Sequence, residues 1–178
     1  MGKIFISIFI ILFMSDSSTT IFDFNSDADI AQWRVVDDVV MGGRSKGNLK
    51  INKEGNGEFY GAVSIENNGG FSSLRYRFSA IKVSNFQHVV IRIKGDGNPY
   101  QFRLKDELYA PHSFISIFET NGAWQTIRIK LSDMYPAFRG RKLQMNNFSS
   151  ESIQELAFLI GNKKAQNFKL EIDKIYLE

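Results

Sequence analysis

The chain has 178 residues, 43% of them hydrophobic and 23% charged, with a formal net charge of +3. That is enough apolar material for one domain with a sizeable core, and too little positive charge to argue for a nucleic-acid partner. Cysteine is absent, which excludes disulfides, thiolate metal sites and cysteine nucleophiles.

Lys3 gives a positive start, and residues 4–14 are apolar apart from Ser7. This run is short for a membrane-spanning helix. Ser15-Asp16-Ser17-Ser18 then supplies small residues suited to cleavage. Residues 1–19 therefore read as a signal peptide or N-terminal hydrophobic leader. A cleaved leader implies an exported protein, periplasmic or secreted; an uncleaved one implies membrane association. Residues 20–178 read as a single domain.

Residues 20–24 form the first expected strand. Trp33-Arg34-Val35-Val36-Asp37-Asp38-Val39-Val40-Met41-Gly42-Gly43-Arg44-Ser45 is the densest run of unusual choices in the chain. Its β-branched pairs favour a strand, and its adjacent glycines permit closed backbone conformations. A short strand running into a specially shaped loop is the expectation. Strands follow at 48–52, 57–66 and 71–78, each with apolar residues on alternate positions.

Val89, Ile91 and Ile93 alternate with Val90, Arg92 and Lys94. The turn Gly95-Asp96-Gly97-Asn98-Pro99 comes next, and then Tyr100, Phe102 and Leu104 alternate with Gln101, Arg103 and Lys105. This pattern predicts a hairpin. Strands at 114–118 and 127–131 flank a turn at Asn121-Gly122. Residues 132–150 are expected to be irregular, a length often associated with function. Strands at 156–160 and 168–177 close the domain, with a bulge near Asp173-Lys174 where the apolar parity slips. About ten short strands without a normal-length helix predict an all-β fold, an antiparallel β-sandwich or jelly roll.

Five motifs occur in order: Trp33 to Ser45; Asn67-Asn68-Gly69-Gly70-Phe71; Lys94-Gly95-Asp96-Gly97 with Tyr100; Trp124-Gln125; and Phe138-Arg139-Gly140-Arg141. Together they resemble the complex I intermediate-associated protein family. That resemblance implies a galactose-binding-like β-sandwich and a role in assembling respiratory complex I. The protein partners it implies are respiratory-complex subunits, with a membrane-peripheral placement. The same fold likeness, joined to the leader, suggests an exported carbohydrate-binding-like module with a glycan as the alternative partner.

The residues themselves point to binding rather than turnover. Asp37 and Asp38 are adjacent, so on an extended chain they point to opposite faces and do not converge on one substrate. They organise the Gly42-Gly43 loop, present an acid to a ligand or cation, or act as an acid–base pair, with Met41 and Ser45 beside them. Neither glycine-rich stretch has the lysine or following helix of a phosphate cradle. Asn67 and Asn68 can brace a neighbouring loop or bond a sugar. Asp96 sits at a turn tip close to Tyr100. His88 and His112 lack ligand-spaced neighbours, so neither a metal nor a cofactor is expected.

The cations Arg75, Arg77, Arg92, Lys94, Arg103, Lys105, Arg128 and Lys130 fall on the polar parity of their strands. Sharing a sheet, they would form a basic face for an acidic glycan, a phospholipid head group or an acidic protein, with Arg103 the candidate within it; the alternative is an ordinary solvated outer face. Phe138, Arg139 and Arg141 combine an aromatic with two guanidinium forks, a composition enriched at protein interfaces. Trp33 and Trp124 either pack in the core or stack on a sugar. The expected partner surface comprises the loop from Asp37 to Ser45 together with Phe138, Arg139 and Arg141.

Overall fold

The computed structural model describes residues 18–178. The leader expected over residues 1–19 lies outside the described residues, except for its last two positions. The first strand, β1 (Thr19–Asp23), begins at one of them.

Thirteen strands are present among the described residues. After β1 come β2 (Trp33–Asp37), β3 (Lys46–Ile51), β4 (Gly57–Val63) and β5 (Ser72–Lys82). The middle of the chain supplies β6 (His88–Lys94), β7 (Tyr100–Lys105), β8 (Ser113–Phe118) and β9 (Trp124–Lys130). The last four are β10 (Tyr135–Phe138), β11 (Arg141–Lys142), β12 (Ser152–Ile160) and β13 (Gln166–Leu177).

These strands build two antiparallel sheets. The first has the order β3-β4-β13-β6-β9, with β1 added beside β13. The second has the order β11-β10-β8-β7-β12-β5-β2. The period-two alternation is what permits this. Val89, Ile91 and Ile93 of β6, with Leu170 and Ile172 of β13, are fully buried from one side. Phe102 and Leu104 of β7, with Leu156 and Phe158 of β12, meet them from the other. The expected all-β sandwich is what the chain forms.

The bulge expected near Asp173 is present, as a register shift between Ile172 and Lys174 where β13 meets β6. It reverses the parity, so Ile175 and Leu177 return to the core that Ile172 already faces.

The expected hairpin between β6 and β7 does not form. β6 pairs with β9 and β13, whereas β7 pairs with β8 and β12. The turn at residues 95–99 is an arch that carries the chain from one sheet to the other. Asn121-Gly122 lies in a second such arch, between β8 and β9. Thr120 locks the two together, since its Oγ1 accepts the Gly97 N–H at 2.9 Å and donates to the Asn98 carbonyl at 2.8 Å. A Cβ on Gly95 would lie 2.4 Å from Thr120 Cγ2, so the arches pack this closely only with glycine there. Alternation reports one buried face per strand, and a hairpin and an arch satisfy it equally.

The irregular segment expected over residues 132–150 contains β10 and β11, which form a small hairpin at the edge of the second sheet. Pro136 and the shortness of both strands hide them, because a proline removes a ladder donor.

Phe158 is fully buried and meets Phe102 edge-on at 5.4 Å and Phe118 at 6.4 Å. Phe158→Ala should cost about 4 kcal/mol of stability, most of it from the cavity left in the core. Urea unfolding measures this, and a loss under about 1 kcal/mol would mean that the core is loosely packed there.

Candidate functional site

The Trp33-to-Ser45 motif folds into a knot around one carboxylate. β2 ends at Asp37, and a single 3-10 turn runs over Asp38–Met41. Gly42 closes it with φ at +88°, a left-handed conformation suited to glycine. Asp38 is 1% exposed. Its carboxylate accepts from the Ser45 N–H at 3.0 Å, the Ser45 hydroxyl at 2.5 Å, the Gly70 N–H at 2.5 Å and the Phe71 N–H at 3.2 Å.

A Cβ on Gly43 would come within 2.2 Å of Asp38 Oδ1, and one on Gly69 within 2.6 Å of Oδ2. Both glycines are therefore needed for close approach to the acid. Burial alone pushes the Asp38 pKa up, but the hydrogen bonds from Ser45, Gly70 and Phe71 outweigh it and hold the group below its ordinary value.

Asp37, the last residue of β2, is bonded to a different set of donors. It accepts the Gly47 N–H at 3.0 Å and the Ser72 hydroxyl at 2.5 Å. Asn67 Nδ2 donates to the Gly42 carbonyl at 3.1 Å. Asn67 and Asn68 take left-handed φ values of 53° and 59°, a conformation asparagine tolerates better than most residues. The motif's glycines, acids, Ser45 and asparagines thus come together, but as partners of one another. Met41 lies in the same turn.

Asp96 has a similar role. It accepts from the Tyr100 hydroxyl at 3.1 Å, the Asn98 N–H at 3.1 Å and the Lys169 N–H at 2.8 Å. Tyr100 is 1% exposed, and burial, then the Asp96 carboxylate, push its phenol far above the ordinary range. Among the described residues there is no group of three or more His, Asp or Glu placed to hold a metal.

Trp33 belongs to the core. It stacks on Tyr76 at 4.7 Å and meets Phe22 edge-on at 5.2 Å. Trp124 is 37% exposed on the first sheet, beneath the Arg92 guanidinium at 5.3 Å.

Phe138, Arg139 and Arg141 stand at the tip of the β10–β11 hairpin. Arg139 and Gly140 are both left-handed, with φ of 48° and 76°, the signature of a tight two-residue turn. The Arg139 guanidinium lies 5.2 Å over the Phe138 ring, which is 40% exposed. This tip is at the opposite edge of the second sheet from β2. The structure therefore separates the two halves of the expected partner surface.

The eight strand cations divide equally between two outer faces. On the first sheet, acids answer three of the four: Arg92 with Asp173 at 2.7 Å, Lys94 with Glu171 at 3.7 Å, and Arg128 with Glu178. On the second, Arg75, Arg77, Arg103 and Lys105 are joined by Arg34 from β2. Glu155 bonds Arg77 at 2.7 Å.

The register places Arg34, Arg75, Ala157, Arg103, Ile115 and Tyr135 in one row across the strands. Both Nε and Nη2 of Arg103 donate to Gln101 Oε1, at 3.0 and 2.6 Å. Burial, and then the neighbouring Arg75 charge, lower the Arg103 pKa to about 10. A cleft of about 630 Å³ opens at the β2 end, lined by Gln32, Arg34, Val36, Arg75 and Arg77, with Ala31. Arg34 was not among the expected site residues. The inward alternation of Trp33 and Val35 was the signal for it.

Two antiparallel sheets with glycine-shaped apical loops define a galactose-binding-like β-sandwich. The family 11 carbohydrate-binding module from Clostridium thermocellum, solved with a β-1,3-1,4-mixed-linked tetrasaccharide, superposes with a TM-score of 0.67. It is 18% identical, and the match covers 90% of this chain and 94% of that one. The profile of the Complex I intermediate-associated protein 30 (CIA30) family matches residues 22–172, and the chain belongs to that family. Complex I intermediate-associated protein 30, mitochondrial, of Drosophila melanogaster is 24% identical over 95% of this chain and 66% of its own length. The Mus musculus protein of the same name is 24% identical over 90% of this chain and 56% of its own length. The chain thus spans between about half and two thirds of these relatives.

Asp38→Asn should keep the shape of the side chain but set an amide against N–H donors. The expected loss is about 3 kcal/mol near neutral pH, read by urea unfolding. Because the folded-state pKa is depressed, the stability Asp38 contributes is present above the ordinary carboxylate pKa and is lost as pH falls through the folded value. The variant should therefore lose less stability on acidification than the parent. Equal acid sensitivity would show that Asp38 carries no such linkage.

Proposed function

We propose that this chain is a non-catalytic protein-binding module that takes part in assembling a respiratory complex. Its family and its two curated relatives, whose names give a complex I intermediate, support that reading. The observation that carries it is the β10–β11 hairpin, where a tight turn presents Phe138, Arg139 and Arg141 to solvent. A half-exposed aromatic under a guanidinium fork is the kind of group that anchors protein interfaces. Engagement of Asp37, Asp38 and Asp96 by backbone and side-chain donors supports binding over turnover, since acid–base work needs a carboxyl free to reach a substrate. The partners on this reading are respiratory-complex subunits, met at the membrane periphery.

A second reading is an exported carbohydrate-binding-like module. The polar cleft on the second sheet, and the likeness to a module solved with a tetrasaccharide, favour it. The leader over residues 1–19 fits this reading, while a membrane-associated chain fits the first.

Arg139→Ala with Arg141→Ala should weaken capture of respiratory-complex subunits by about tenfold, without changing the melting temperature. Pull-down followed by mass spectrometry reads the effect. Undiminished capture would remove the hairpin from the account. Retention on a neutral mixed-linked glucan gel, with no subunit captured, would favour the second reading.

A further inference from the structure

We propose that the outer face of the second sheet docks an acidic, amphipathic helix of a partner polypeptide. The inference rests on reading the chain as a protein-binding module, and adds to it a surface and a partner chemistry.

Charge is the first observation. Among the described residues Arg34, Arg75 and Arg103 have no counter-ion, and Glu155, the acid between them and Lys105, is already bonded to Arg77. On the opposite sheet Arg92, Lys94 and Arg128 each face an acid, as does Lys50. Gln101 holds the Arg103 fork in place before any ligand arrives. Burial, and then the Arg75 charge beside it, lower the Arg103 pKa. An arriving carboxylate would offset the repulsion from Arg75 and meet the remaining N–H groups of a guanidinium already held in place.

Spacing is the second. Neighbouring strands lie about 4.8 Å apart. Arg34 and Arg75 are on adjacent strands, and Arg75 and Arg103 are separated by β12, which places Ala157 between them. A helix laid along this row advances about 5.4 Å per turn. Acids one turn apart, and then two turns further on, would meet the three forks in order. An extended peptide repeats one face about every 6.8 Å and matches neither interval.

The third observation is a row beside the cationic one with an apolar residue at each end, Val36 and Ile117. Val36, Ser73, Leu159, Gln101 and Ile117 align across the same strands, two residues along. Ile117 is 56% exposed. A basic stripe with Val36 and Ile117 beside its two ends complements a helix with glutamates on one stripe and leucines toward the ends of the next.

Sugar chemistry fits this face less well. Trp33 is in the core, Trp124 is on the other sheet, and the Tyr135 ring at the end of the row is covered by Lys142 at 5.3 Å. The aromatic platform on which a glycan stacks is thus missing from this row among the described residues.

The test uses the full chain and a fluorescently labelled synthetic helix with a glutamate stripe beside a leucine stripe. Anisotropy is read against three other probes: the same helix with glutamines, polygalacturonate, and phosphatidylglycerol vesicles. The parent should bind the acidic helix, and Arg75→Gln with Arg103→Gln should weaken binding on the order of 100-fold, about tenfold for each fork. Arg139→Ala with Arg141→Ala should leave it unchanged. Arg34→Glu, at an exposed position, gives a second variant whose folding is not in question, and it should also weaken binding.

Equal affinity for the glutamine helix would overturn the proposal. Tighter binding to polygalacturonate or to the vesicles would overturn it in favour of a glycan or a lipid surface. No binding of the acidic helix, with subunit capture still lost in the hairpin variant, would overturn this surface and leave the assembly reading standing.

Discussion

The structure depends on one buried carboxylate. Asp38 gathers donors from two separate segments, Ser45 on one side and Gly70 with Phe71 on the other. The loop after β2 and the loop before β5 are thereby fixed to a common point. Those loops join the two sheets, because β2 and β5 belong to the second sheet while β3 and β4 belong to the first. Without an ionised group at that point, several backbone N–H groups would be buried with no partner. A buried charge is tolerable only when it is this fully bonded.

This arrangement explains why the motif looks chemical and behaves structurally. Two acids beside two glycines suggest a site. In the fold, Gly43 and Gly69 lack side chains so that Asp38 can come close, and Asp37 ties β2 to β3 and β5. Asp96 repeats the pattern in the arch between β6 and β7, where it meets Tyr100 and Lys169. The polar groups of these loops are directed at the protein's own backbone. The outer surface that the core holds in place includes the β10–β11 tip and the cationic row of the second sheet.

Much of this was legible in the sequence, for local reasons. Alternation over residues 89–93, 100–104 and 168–172 located buried strand faces, and the parity slip after Ile172 located the bulge. Pairing was less legible. The same alternation suited a hairpin across residues 95–99, but the chain crosses between sheets there, and Thr120 stabilises the crossing from 22 residues away or more. β10 escaped notice because Pro136 and its four-residue length resemble a loop. The contact between Asp38 and Gly70 spans 32 residues, and periodicity carries no information about it. The basic face was visible as a parity, but its division between two sheets, one with acids against three of its four cations and one with an acid against Arg77, follows from strand order.

The most direct test of this account is the ionisation of Asp38 itself. Carboxyl chemical shifts followed by NMR through an acid titration would report it without disturbing the fold beforehand. The account predicts a midpoint below the ordinary aspartate range, with loss of native signals as the group protonates. A midpoint within or above that range, in a protein that stays folded, would mean that the carboxylate is not what holds the loops, and that the motif is open to a ligand.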